Sequence, residues 1–308
     1  MATINAKDVA ALRAKTGIGM MECKKALVEA EGDMEKAMKV LRERGLAVAA
    51  KKEGRIAAEG VVDILKEGNV AAMIEVNAET DFVAKNEKFL DFVKGLLKTI
   101  IATKPADVAE LLTKNFDGTE MSVEAKLKDM IFTIGENMNI RRFLVVEGVL
   151  TSYIHGKGST GVIVKFEADD AVASNEGFAA FAKNIALQVA AMPVKYLNKE
   201  SVPAEVLEEE KAILVSQMKN DPKMANKPDA VLVKIVEGKL GKYYENNCLL
   251  EQAYVKDDSM SVGKYVASVA KDNGGSITVT GFTRFDKGEG IEKREEDYAA
   301  EIAKMVKG

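Results

Sequence analysis

The sequence predicts an α+β protein with an N-terminal three-helix module and two duplicated subdomains, each an antiparallel sheet backed by a helix. A helical hairpin is inserted into the second subdomain. Three observations lead there: helical periodicity with glycine stops across residues 4–45, an internal repeat of a strand-turn-strand-helix unit, and one further strand following each copy. The expected division is 1–54 for the helical module, 55–146 and 147–285 for the subdomains, about 194–245 for the inserted hairpin, and 286–308 for a C-terminal helical module.

Asn5 is placed to cap a first helix in which Val9 and Leu12 share a face, and Gly17 ends it. In the second helix Met20, Cys23, Ala26, Leu27 and Ala30 follow helical spacing as one apolar face. Met21, Lys24, Lys25 and Val28 fall on the opposite side. Two stray apolar residues on a solvated face fit that pattern as well as a docking face does, because methionine suits adaptable protein contacts. Asp33 caps a third helix with Met34, Ala37, Met38 and Leu41 inside, and Gly45 is expected to stop it. Three short amphipathic helices of this kind resemble a ubiquitin-associated-type bundle.

The repeat starts at Glu59 ("EGVVDILKEGNVAAMIEVNAETDFVAKNEKFLDFVKGLLKTIIA") and again at Glu147 ("EGVLTSYIHGKGSTGVIVKFEADDAVASNEGFAAFAKNIALQVAA"). Each copy reads as a β-hairpin, an acidic turn and an amphipathic helix; "KEGN" and "HGKGST" are the hairpin connectors. Phe89, Phe92, Val93, Leu96, Leu97, Ile100 and Ile101 step along one helical face. Phe178, Phe181, Ala182, Ile185, Ala186, Val189 and Ala190 repeat the stripe. "NIRRFLVVEG" and "SITVTGFTRFDKGEG" supply the late strands. Between residues 198 and 246 the charged segment containing "EVLEEEKAILVSQMKND" reads as the projecting helical hairpin. There Val206, Ile213 and Leu214 permit a homodimer without requiring one. The last helix would carry Tyr298, Ala299, Ile302 and Met305 on one side.

The two copies differ at one informative place. Asp81, Val83, Ala84, Asn86 and Glu87 recur as Asp170, Val172, Ala173, Asn175 and Glu176, but Phe82 becomes Ala171 and Lys85 becomes Ser174. A fold that closes this turn with alanine once has no structural need for phenylalanine in the other copy. Covering by a partner is one reading of Phe82; a hydrophobic staple between its loop and the following helix is the other.

Composition narrows the function. A hydrophobic share of 47% with 30% charged residues over 308 positions is that of a soluble globular chain. A net charge of −4 argues against a general nucleic-acid binder. Two cysteines, Cys23 and Cys248, make neither a disulfide framework nor a zinc site. With no apolar leader and no stretch of membrane-spanning length, the chain reads as cytoplasmic. His155 is the only histidine, and it sits in a hairpin turn without a nucleophile signature. Gly156-Lys157-Gly158-Ser159-Thr160-Gly161 fails the phosphate-loop pattern, since Gly158 follows the lysine and the context is strand-turn-strand. Gly241-Lys242 fails as well, because Tyr243 follows. Asp81, Asp169 and Asp170 lack the spacing of a calcium loop. The expectation is a binding protein rather than an enzyme, with no catalytic residues, cofactor or metal.

Four blocks, in order, resemble the bacterial elongation factor Ts family, the guanine-nucleotide exchange factors of elongation factor Tu. They are Thr16-Gly17-Ile18-Gly19-Met20-Met21-Glu22-Cys23-Lys24-Lys25-Ala26-Leu27, the "TDFVAKN" turn, Gly135-Glu136-Asn137-Met138-Asn139-Ile140-Arg141-Arg142, and "GFTRFDKGEGIEK". Together they span nearly the whole chain. The resemblance implies binding to elongation factor Tu in its GDP-bound and nucleotide-free forms, without direct contact to nucleic acid or membrane. It implies that Asp81 and Phe82 intrude near the partner's Mg²⁺ site, with Thr80 and Val83 flanking them in the same turn. It also implies that Arg13, Met20 and Met21, with neighbouring Lys24, dock the N-terminal module. Met138 matches a loop that supports the intrusion, and His155 a further contact. Departures are the longer "TKPADVAELLTKNFDGTEMSVEAKLKDM" segment and "NEK" after Lys85. A protein-binding scaffold without exchange activity is the alternative.

Overall fold

The computed structural model describes residues 4–220 and 229–292. Its architecture is α+β, with N-terminal helices followed by two three-stranded antiparallel sheets and their helices.

The module at the front comprises α1 (Ala6–Thr16), α2 (Met20–Glu29) and α3 (Met34–Lys52). Asn5 and Asp8 form a reciprocal capping box, so two N–H groups that the helix cannot satisfy are bonded. Gly17 ends α1 at φ 70°, a conformation open to glycine at little cost. Leu12, Cys23, Ala26, Leu27, Ala37 and Leu41 form the buried centre. Met20 does not join it: the side chain is 53% exposed. As the first residue of α2 it precedes the first full turn, and buried Ile18 occupies the core beside it. Gly45 does not stop α3 either. It lies inside the helix, where glycine weakens but does not break the element, and faces the ring of Phe132.

The first sheet joins β1 (Glu59–Glu67), β2 (Val70–Ala78) and β3 (Met138–Glu147) in the order β1-β2-β3. Between β2 and β3 run α4 (Asp81–Ala84), α5 (Glu87–Thr103), α6 (Val108–Thr113) and α7 (Val123–Ile134). The α5 stripe from Phe89 to Ile100 is buried against the sheet, while Ile101 is only partly covered. The segment that departs from the family pattern thus forms α6 and α7, and α7 connects this core to α3 through Phe132.

The second sheet repeats the plan with β4 (Val149–His155), β5 (Thr160–Ala168), α8 (Asp170–Ala173) and α9 (Glu176–Ala191). The hairpin of α10 (Ala204–Asn220) and α11 (Asp229–Asn247) follows. Then come β6 (Ala253–Tyr254), β7 (Asp257–Ser261), α12 (Val262–Asp272) and β8 (Ile277–Asp286), with the sheet ordered β4-β5-β8. Helix α12 buries Val262 and Val266 against the same core as α9. The hairpin holds its own small core of Leu214, Met218, Val236 and Leu240. Leu214 is therefore spent inside the hairpin, Val206 is half-buried, and of the three residues considered for self-association only Ile213 is exposed. The helix expected to carry Tyr298, Ala299, Ile302 and Met305 lies outside the described residues.

The sheets pack on each other. Val62, Ala71 and Met73 of the first meet Leu150, Ile163 and Phe285 of the second, and the Val62 N–H donates to the Gly158 carbonyl at 2.8 Å. Strand β2 is consequently covered on both faces, by α5 and by the second sheet.

Candidate functional site

Strand β2 delivers the chain into the acidic turn, which both copies fold as one helical turn, α4 and α8. In the first copy Val83 is buried beneath the turn and Asn86 starts α5 by accepting from the Lys88 N–H at 2.9 Å. Phe82 points the other way and is 79% exposed. The staple contact is not made: the ring is left in water on a turn anchored by its neighbours. Ala171 is exposed at the matching place above buried Val172, so the geometry is common to both copies and the aromatic is particular to one.

The turn is held from the side by the Gly-Glu-Asn block. The Glu136 carboxylate accepts from the Thr80 N–H at 3.0 Å and the Thr80 hydroxyl at 2.7 Å. Reciprocally, the Glu79 carboxylate accepts from the Asn137 N–H, and the Asn137 amide donates to the Arg55 carbonyl at 2.7 Å. Met138, the next residue, is buried opposite Ala78 at the start of β3. Thr80, Val83 and Met138 thus brace the turn from within and below, and Asp81 and Phe82 are what it presents. In the second copy the seam is closed in the same direction as between Glu79 and Asn137: Asp169 accepts from the Ser276 N–H at 2.8 Å and its hydroxyl at 3.1 Å.

Asp81 pairs with Lys85 at 2.6 Å, both well exposed. The hydrogen bond from Lys85, with the charges of Lys85 and Lys287, holds its carboxyl below the ordinary range. At neutral pH the turn therefore offers an aromatic ring beside a carboxylate whose exposed lysine contact is easily exchanged for another.

Arg13, Met20, Met21 and Lys24 are all exposed, Met21 at 65%, and Val28 continues the strip. The α1–α2 corner sits beside the start of α5, with the Gly17 carbonyl 3.5 Å from Lys88 Nζ. His155 lies exposed at the end of β4, its Nδ1 3.1 Å from the Tyr153 hydroxyl. Both cysteines are buried thiols. Among the described residues no three His, Cys, Asp or Glu side chains group as metal ligands, and no helix is long and apolar enough to cross a membrane.

Sequence reasoning named the turn with Thr80, Val83 and Met138, but not the hydrogen bonds of Glu79, Glu136 and Asn137 that hold it. Glu136 and Asn137 stand in a quoted block and Glu79 in the quoted repeat, yet their pairing joins residues far apart in the chain, and no local pattern announces it.

The family model described as Elongation factor TS matches residues 79–289. Among curated proteins, the chain is 46% identical over 307 residues to Elongation factor Ts of Syntrophotalea carbinolica, covering 99% of each chain. It is 46% identical over 311 residues to Elongation factor Ts of Clostridium kluyveri, again over 99% of both. With Elongation factor Ts of Magnetococcus marinus it shares 45% over 308 residues, with 99% of each covered.

Proposed function

The chain belongs to the elongation factor Ts family, and we propose that it binds elongation factor Tu carrying GDP and promotes release of that nucleotide so that GTP can load. The observation that carries this reading is Phe82, a large aromatic 79% exposed on a turn whose backbone is braced by Glu136 and Val83. A ring held ready in water loses nothing internal when a partner covers it. In this reading Asp81 and Phe82 enter the partner's nucleotide domain near its Mg²⁺, and Thr80, Val83 and Met138 keep the turn rigid. Arg13, Met20, Met21 and Lys24 dock the N-terminal module, and His155 adds a contact. No bond is made or broken, so the protein is an exchange factor rather than an enzyme, and it works in the cytoplasm. Its units are the helical module, the two sheet subdomains, the hairpin and the C-terminal segment.

Exchange requires that the nucleotide-free partner be bound more tightly than the GDP form, and the antagonism is reciprocal. Covering one phenylalanine is worth about 1.5–3 kcal/mol. A shift of four decades needs about 5.5 kcal/mol of differential binding. Phe82 cannot supply that alone, so the N-terminal face and the second subdomain must share it, with the aromatic as the central contact. The test is the release rate of a fluorescent GDP from elongation factor Tu with this protein and with Phe82→Ala. Acceleration by the parent that the variant largely loses supports the reading. No acceleration by the parent leaves a binding scaffold.

A further inference from the structure

The most unusual group outside the turn is Glu75, a carboxylate of β2 that is 0% exposed. It receives four hydrogen bonds. Arg141 Nη1 donates at 2.9 Å, Arg142 Nε at 2.7 Å, the Asn77 amide at 3.1 Å, and the Gly288 N–H at 2.8 Å. Consecutive residues of a strand face opposite sides, so one carboxylate does not ordinarily meet two successive arginines. A β-bulge makes it possible: Glu75 is opposite Arg142 and Val76 opposite Ile140, which leaves Arg141 as the extra residue.

Gly288 belongs to the turn that follows β8, the last strand of the second subdomain. That turn is fastened to the first subdomain throughout. Arg142 donates to the Asp286 carbonyl at 3.3 Å and to the Glu289 carboxylate at 3.0 Å, and Arg141 donates to the Glu289 carbonyl. Arg142 also lies over the Phe285 ring, 4.1 Å from its centroid. Lys287 pairs with Glu59, which stands opposite Ala78 at the root of the Asp81–Phe82 turn, and its charge reaches Asp81. Gly288 is packed so closely that a Cβ there would collide with the Ala58 carbonyl.

The second copy provides the internal control. It carries the same bulge, with Lys165 opposite Gly281, Phe166 opposite Val279, and Thr280 extra. Lys165, an exposed residue, stands where Glu75 does, and neither partner position is arginine. The bulged sheet therefore closes without a buried charge cluster, and the copy that lacks the cluster is also the copy that lacks the exposed aromatic.

We infer that Glu75 is a positioning residue: through Arg141, Arg142 and Gly288 it clamps the 286–290 turn of the second subdomain onto the root of the Asp81–Phe82 turn, and so sets how the aromatic is presented. The inference rests on the exchange reading for its consequence but not for the clamp itself. Holding a reacting or binding group within about 0.5 Å of its productive place requires such support from behind.

The experiment is a double-mutant cycle on GDP release from elongation factor Tu, using Glu75→Gln, Phe82→Ala and the pair, with hydrogen exchange of segments 79–85 and 286–290 in the free proteins. Glu75→Gln is expected to slow stimulated release about tenfold, yet to add little in the Phe82→Ala background, because both act through one group. Both segments are expected to lose protection together while α5 keeps its own. Gly288→Ala, which displaces the turn and its N–H donor while leaving the Glu75 carboxylate and both arginines in the chain, is expected to reproduce both effects and carries the test if Glu75→Gln does not fold. Multiplicative losses in the cycle, or unchanged protection of 79–85 in a folded variant, overturn the inference. If the parent itself does not stimulate release, the exchange reading fails. The hydrogen-exchange arm then decides alone: coupled loss of protection upholds the clamp and unchanged protection removes it.

Discussion

Glu136 accepts two hydrogen bonds from Thr80, one from its backbone N–H at 3.0 Å and one from its hydroxyl at 2.7 Å. One carboxylate thereby closes the entrance to the turn that carries Phe82, and it does so from the loop preceding β3. Glu136→Ala leaves both Thr80 donors without this acceptor in a partly buried place. A loss of about 1–3 kcal/mol is expected, read as a lower urea midpoint at unchanged slope. The same variant should slow GDP release less than Phe82→Ala does, because the aromatic is still present but less firmly aimed.

Phe82 itself should be nearly silent in folding. Its exposure means that Phe82→Ala changes stability within about 0.5 kcal/mol, while release of GDP falls by about one to two decades, the factor equivalent to covering one phenylalanine. The chain contains no tryptophan, so Phe82→Trp would place a sole indole at the turn. Its emission should shift to the blue on addition of nucleotide-free elongation factor Tu. An unshifted spectrum in a formed complex would show that the partner does not cover this position.

Burial would raise the carboxyl of Glu75, but hydrogen bonds from Gly288, Arg141, Asn77 and Arg142 more than offset it and hold the group below its ordinary value of 4.5. A carboxylate depressed in the folded state contributes stability that is fully present above its unfolded value and is lost as pH falls through its folded value. Urea unfolding should therefore show stability declining below about pH 4.5, with a shallower decline in Glu75→Gln. At neutral pH that variant leaves two guanidinium groups facing an amide. A loss toward the lower end of about 3–5 kcal/mol is expected, since both arginines are partly hydrated and regain water.

Gly45 offers a gain. It lies inside α3 at an ordinary helical conformation, and an added Cβ would sit 3.4 Å from the Phe132 ring, a normal contact. Gly45→Ala should raise stability by about 0.5–1 kcal/mol, read as a higher urea midpoint, with GDP release unchanged.

The helical stripes, the Asn5 and Asp33 caps, the repeat and the singular Phe82 were all legible in the sequence. Each is a local pattern: periods of 3.6 and 2 record which face is apolar, and an N-cap needs only its own next three residues. Helix α12 is legible too, from its Ser261 cap and the spacing of Val262 and Val266, between the insertion and the last strand.

What only the tertiary structure decided are matters of distance between remote residues. Pattern placed Met20 in the core and ended α3 at Gly45, whereas packing against Ile18 and Phe132 determines both. Whether Phe82 is covered depends on what surrounds its turn, and it stands 79% exposed among the described residues. Glu75 and Gly288 are 213 positions apart, and their hydrogen bond exists because two sheets stack and one strand bulges. The identity of the exposed aromatic is thus written in the chain, while the clamp behind it is a property of the assembled fold. A hydrogen bond to a buried carboxylate needs placement to a fraction of an ångström, and periodicity carries no information of that kind.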